Sequence, residues 1–146
     1  MRRSRFLLGA SLAVALTAGL AGGALAVGGK PYATTLSGAE EVPGPGDPDG
    51  SGFASITVNL GTSTVCYHLT VANIDPAAAA HIHVGNAGVA GPIVVHFAAP
   101  TNGTSSGCAD APRNVAFGLI TNPTAYYVNV HNPAFPAGAV RGQLGD

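Results

Sequence analysis

At 146 residues, with 9% charged side chains and a formal net charge of −1, the chain is long enough for one domain with a single core and too short for two ordinary ones. Beyond residue 29 its basic residues are Lys30, Arg113 and Arg141 against seven acids, a balance of −4 by count (3 minus 7). Three scattered cations cannot neutralise a run of phosphates, which argues against nucleic acid and anionic membrane surfaces as partners.

Arg2, Arg3 and Arg5 precede an uncharged run from Phe6 to Gly29 that ends its apolar part near Leu20 and turns to small residues at Ala24-Leu25-Ala26. Basic, then apolar, then small is the layout of an export signal. Residues 1–26 are therefore expected to be a cleaved signal using the general secretory route, leaving 27–146 as one secreted domain that does not touch the membrane. The competing reading is an uncleaved anchor, since the run is just long enough to cross roughly 30 Å of hydrocarbon. Gly19, Gly22, Gly23, Gly28 and Gly29 weaken that reading by thinning its apolar content. The alanine-rich signal is of a bacterial kind.

From Lys30 onward, short apolar alternations are separated by turn residues at intervals of about 8 to 14, the pattern of an antiparallel sandwich or barrel. Tyr32 to Leu36 is the first expected strand. Glu40 to Gly50 carries three prolines and three glycines and is expected to be irregular, its acids Glu40, Glu41, Asp47 and Asp49 forming a solvated turn. Their spacing fits no EF-hand loop. Phe53 to Leu60 and Thr64 to Val71 read as a hairpin, with Val65, Tyr67, Leu69 and Val71 on one face of the second strand and Thr64, Cys66, His68 and Thr70 on the other.

Four alanines, Ala77 to Ala80, lead into a short strand His81-Ile82-His83-Val84. A glycine-rich loop from Gly85 to Gly91 follows, and Pro92 to Phe97 is the next strand. Pro100 to Pro112, polar and glycine-rich, is expected to be loop, with a glycosylation-type triplet at Asn102-Gly103-Thr104. Val115 and Leu119 fall four apart before Asn122-Pro123, which predicts one short helix over 114–121. Tyr126 to His131 and Ala139 to Leu144 complete the sheet. Cys66 and Cys108 are the only cysteines. In an oxidising compartment such a pair is most simply a disulfide; two free thiols or a copper site are the alternatives.

Three blocks of this chain resemble the CHRD (chordin) domain family. They are Leu36-Ser37-Gly38-Ala39-Glu40-Glu41-Val42-Pro43; Ala80-His81-Ile82-His83-Val84-Gly85 with Gly91-Pro92-Ile93-Val94-Val95; and Tyr126-Tyr127-Val128-Asn129-Val130-His131 through Asn132-Pro133-Ala134-Phe135-Pro136-Ala137-Gly138 to Arg141-Gly142-Gln143-Leu144. Their order and spacing span about Tyr32 to Leu144. The resemblance implies an all-β fold, a Greek-key immunoglobulin-like sandwich with some similarity to the copper/zinc superoxide dismutases. Ala139 departs from the pattern, since the family usually carries a glutamate there.

The residues with chemical content are histidines. On a strand, positions i and i+2 project from one face about 6.6 Å apart, so His81 and His83 can turn toward one ion. Two imidazoles on one strand do not close a site. His131 is the expected third ligand, ending a strand in which Tyr127, Asn129 and His131 share one parity. Three nitrogens would suit zinc or copper, and ring nitrogens converging to within about 4 Å would make the site plausible. The bland alternative is that these histidines fill a polar face or hydrogen-bond the Gly85 to Gly91 loop onto the sheet. His68, which shares a face with Cys66, and His96 are weaker candidates.

Arg141 is expected to pin the last strand through a hydrogen bond or salt bridge. No nucleophile stands beside a base, and no metalloprotease or phosphate-loop motif is present. Sequence and resemblance together point to a non-catalytic extracellular or cell-surface module that contacts an unidentified extracellular protein or a glycan. A copper- or zinc-binding domain built on His81, His83 and His131 is the second reading. A superoxide-dismutase-like enzyme and a purely structural component stand behind these. No cofactor other than copper or zinc is expected.

Overall fold

The computed structural model describes residues 28–145; the expected export signal at 1–26 lies outside them. Eight strands form in chain order: β1 (Lys30–Ser37), β2 (Ser51–Asn59), β3 (Thr64–Ala72), β4 (Ala79–Val84), β5 (Ile93–Phe97), β6 (Thr104–Asp110), β7 (Tyr126–His131) and β8 (Val140–Gln143). Among the described residues one α-helix, α1 (Arg113–Thr121), joins β6 to β7. The spatial order is β5-β4-β7-β8-β1-β2-β3-β6, with every neighbouring pair antiparallel. Because β8 meets β1 only at Arg141↔Ser37, the sheet hinges there into two four-stranded halves whose apolar faces share one core.

The far edges approach as well. Tyr67 of β3 stacks on Phe97 of β5 with ring centroids 4.0 Å apart, and the Ala98 amide donates to the Tyr67 hydroxyl at 2.9 Å. Ser105 of β6 donates to the Ala98 carbonyl at 2.8 Å, so the sheet is nearly closed. Chain travel from β4 through β5 to β6 and back beside β4 as β7 is the Greek-key path. The all-β architecture is as the alternation implies, and the short helix among the described residues is as the spacing of Val115 and Leu119 implies.

The hairpin of β2 and β3 illustrates the cause. Ala54, Ile56 and Val58 face Leu69, Tyr67 and Val65 in register, and all six are buried. Burial of a large aliphatic side chain of this kind is worth about 1.5–3 kcal/mol, and a slip of one residue would put the whole set in water. Helix α1 buries Val115, Ala116 and Leu119 against the same core.

Two expectations are corrected. Residues 104–110, expected to be loop, are strand β6, paired with β3 from Thr64↔Asp110 to Thr70↔Thr104. This edge strand, Thr-Ser-Ser-Gly-Cys-Ala-Asp, is mostly exposed and buries no apolar face, so it carries no period-two signal. Its partner ladder holds it, together with the disulfide between Cys66 and Cys108, which stand directly opposite each other. The acidic turn is not simply solvated either. Glu41 and Asp47 are 5% and 8% exposed, because the segment folds back onto the sheet: the Gly46 amide donates to the Gly38 carbonyl at 2.8 Å and the Asp47 amide to the Ala139 carbonyl at 2.9 Å. A Cβ on Gly38 would collide with the Asp47 backbone, so only glycine permits that close approach.

The same folding-back changes what "outward" means in the β5-β4-β7-β8 half. Ile82, Val128, Val130 and Val140 are buried in the core. The opposite parity carries polar side chains, yet His83, Asn129, Arg141 and Gln143 are all buried. The residue 41–47 segment and the loops after β4 and β7 roof that face.

Candidate metal centre

Three histidines meet under this roof. His81 and His83 sit two apart on β4, and the β4–β7 ladder places Ala79 opposite His131, His81 opposite Asn129 and His83 opposite Tyr127. Antiparallel partners on one face stand close enough for side-chain contact, and the ring centroids are 5.0 Å apart for His81–His131, 5.5 Å for His81–His83 and 5.9 Å for His83–His131. One ligand nitrogen from each ring lies within 4.8 Å of the other two.

That spacing is wider than the 4 Å convergence set by the sequence argument. Nitrogens held at 2.0–2.1 Å around a tetrahedral ion stand about 3.4 Å apart, so each ring would move inward by at most about 0.8 Å to close on a metal. Rotation of an imidazole about its broad second torsion supplies such a movement.

The hydrogen bonding of the rings is one-sided. His83 Nδ1 lies 2.8 Å from the Gly91 carbonyl and His131 Nδ1 lies 3.1 Å from the Pro136 carbonyl. A carbonyl only accepts, so each Nδ1 carries the proton and each Nε2 keeps its lone pair. Those two Nε2 atoms are buried with no partner, as is Nδ1 of His81. Backbone carbonyls that fix the tautomer of a histidine are the usual outer support of a metal ligand.

Burial also keeps the rings neutral. It pushes His81 down to about 4, helped by the neighbouring His131, His83 and His96. His83 and His131 are lowered by burial too, against the opposing pull of the Gly91 and Pro136 carbonyls. Neutral imidazole is the form that binds a cation.

The remaining candidates separate cleanly. His96 is exposed, paired with His81 across β4 and β5 with centroids 4.9 Å apart, at the rim of the cluster. His68 is exposed on β3, opposite Ser55 and Ser106 in the other half of the sandwich. Its neighbour Cys66 is in the disulfide, which removes the thiolate from any metal role. Arg141 is 1% exposed and pins the roof by hydrogen bonds: it donates to the carbonyls of Val89 and Asn86, both at 3.0 Å, and to Gln143 Oε1 at 3.1 Å. Its guanidinium lies 3.4 Å from the centre of the Tyr127 ring, on which His83 also stacks.

Glu41, expected in a solvated turn, is buried beside the histidines' sheet face instead. Its carboxylate accepts from Asn129 Nδ2 at 2.7 and 2.8 Å, and burial pushes its acidity to about 7, outweighing that hydrogen bond and the charge of Arg141. The space it fills is left by Gly138, where a Cβ would meet the carboxylate. A glutamate between a serine-glycine turn and a proline-rich stretch has no local feature that separates it from Glu40, which is exposed.

Compared with known proteins, the chain is matched over residues 32–144 by the family model described as the CHRD domain. The chain belongs to the CHRD domain family. Neither a curated protein nor a solved structure gives a match. In this CHRD domain the three resembling blocks converge on one place. The first brings Glu41, the second β4 with His81 and His83, and the third β7 and β8 with Asn129, His131 and Arg141. Among the described residues no helix is long and apolar enough to cross a membrane.

Proposed function

We propose that this CHRD domain is a non-catalytic binding module of the extracellular space whose ligand is a single copper or zinc ion, held by His81, His83 and His131. The observation that carries the reading is the set of three buried ring nitrogens without partners on one sheet face. A buried polar atom left unpaired costs about 1–3 kcal/mol, and a cation removes that cost at all three at once. Three imidazole nitrogens are a donor set that zinc and copper accept. The extracellular location is supported by the Cys66–Cys108 disulfide and by the basic, apolar, small-residue order of residues 1–26.

The test is a calorimetric titration of the chelator-stripped protein with Zn2+ and with Cu2+, alongside His81→Ala. One equivalent bound by the wild type, with a rise in unfolding temperature that His81→Ala abolishes, is the expected result. No binding by the wild type, or equal binding by the variant, overturns it. A protein or glycan partner for the loops is a second reading, favoured by Val89 and Ile93, apolar residues 50% and 41% exposed around the roof of the site.

A further inference from the structure

The geometry points to Asn129 as the fourth donor of the metal site, its amide turned toward the ion by Glu41; this rests on the metal-binding reading above. The first ground is which atoms lack partners. Among the described residues four buried side-chain nitrogen or oxygen atoms have none: the three ring nitrogens and Asn129 Oδ1. All four belong to one face of β4 and β7. Asn129 Oδ1 is an electron-pair donor, and so are Nε2 of His83 and of His131, whose protons the Gly91 and Pro136 carbonyls put on the other ring nitrogen; Nδ1 of His81 becomes one in the tautomer protonated at Nε2. Water or a hydroxyl would satisfy one or two of them; a cation satisfies four.

The second ground is placement. Asn129 is the direct partner of His81 across the β4–β7 ladder and lies two residues from His131 on the same face of β7. It is 2% exposed, so solvent does not explain its free oxygen. The third is orientation. An asparagine amide can turn either end to its surroundings, and here Nδ2 donates to both carboxyl oxygens of Glu41 at 2.7 and 2.8 Å, which leaves Oδ1 facing away from Glu41. Glu41 is thus a positioning residue acting through Asn129.

A set of three imidazole nitrogens and one neutral amide oxygen bears on metal choice. The amide oxygen is a weak donor of the kind copper(II) accepts as a distant ligand beside strong nitrogens, and no thiolate or thioether joins the set to favour copper(I). The set is therefore probed with copper(II), whose spectrum reports the fourth ligand.

The test titrates Cu2+ into the chelator-stripped full-length mature protein at pH 7.5, reading affinity by calorimetry and ligand field by electron paramagnetic resonance and the visible band. Three variants accompany the wild type: Asn129→Ala, Glu41→Gln, and the exchange Glu41→Gln with Asn129→Asp, in which the amide donor and carboxylate acceptor swap places and an oxygen still faces the ion. Asn129→Ala is expected to weaken copper binding about 10-fold or more and to shift the spectrum, Glu41→Gln to weaken it less, and the exchange to recover it. A wild-type spectrum and affinity in Asn129→Ala overturns the role of Asn129 while leaving the histidine site standing. If Asn129→Ala does not fold, the exchange variant decides, and a spectrum there identical to the wild type overturns the proposal, because an anionic oxygen on the metal must alter it. Absence of copper binding in the wild type removes the metal-binding reading itself.

Discussion

Replacing Glu41 by glutamine separates the shape of this buried group from its charge, and its effect on stability should depend on pH. Folded, Glu41 holds its proton to about 7; its ordinary value is 4.5. A carboxyl whose acidity is weakened by folding stabilises the native state fully below pH 4.5 and loses that contribution as pH rises through 7. The gap corresponds to about 3 kcal/mol at 1.36 kcal/mol per pH unit. Glutamine keeps an acceptor for Asn129 and never ionises. The stability of Glu41→Gln relative to wild type should therefore improve by about 3 kcal/mol between pH 4 and pH 8. His81 works in the opposite sense. Lowered from 6.5 to about 4, it stabilises the native state fully above pH 6.5 and loses that contribution as pH falls toward 4, by less than its gap suggests because the ring is partly solvated. In the wild type the two slopes mask each other, and the variant should expose the histidine as a steady loss of stability on acidification. Urea unfolding of both proteins in chelator at unit pH steps from 4 to 8 measures this. A difference between the two that stays constant with pH would refute the buried, weakened acid.

Removing Arg141 tests the roof. Arg141→Met is expected to cost about 2 kcal/mol by stranding the carbonyls of Asn86 and Val89 and Gln143 Oε1, and to raise hydrogen exchange in residues 85–92 before the strands; unchanged exchange there would mean that the loop holds itself. Reducing Cys66–Cys108, which are 42 residues apart, is expected to lower stability by about 4 kcal/mol in the chain-entropy account. A loss below about 1 kcal/mol in denaturant titration would mean that the β3–β6 ladder alone restrains this loop in the unfolded chain.

The fold was legible wherever one side of a strand had to be apolar. β2, β3, β4, β5, β7 and β8 were all read from alternation to within two or three residues at each end, because a register error there exposes a core residue. The helix was read from the four-residue spacing of Val115 and Leu119. β6 was not legible: its residues are small and polar on both faces, and what makes it a strand is a hydrogen-bonded partner 40 residues away in the chain, which no local pattern encodes. Cys108 was the one local hint, since a disulfide to Cys66 on β3 brings the two Cα atoms close together.

The site divides along the same line. The His-x-His step and the parity of Tyr127, Asn129 and His131 are local facts, and they suffice to place the three histidines on one face. Whether that face was wet was not local. Alternation separates core-facing from outward-facing positions, and an outward position is solvated only if nothing else in the chain returns to cover it. Here the 41–47 segment, the loop after β4 and the loop after β7 return, each anchored by a polar side chain or backbone group of the sheet: Glu41 on Asn129, the carbonyls of Asn86 and Val89 on Arg141, Pro136 on His131. The polar row on β7 and β8 is therefore a second, hydrogen-bonded interior. In such an interior an atom without a partner is costly, so the unpaired oxygen of Asn129 and the three ring nitrogens say more about a ligand than the His-x-His motif alone.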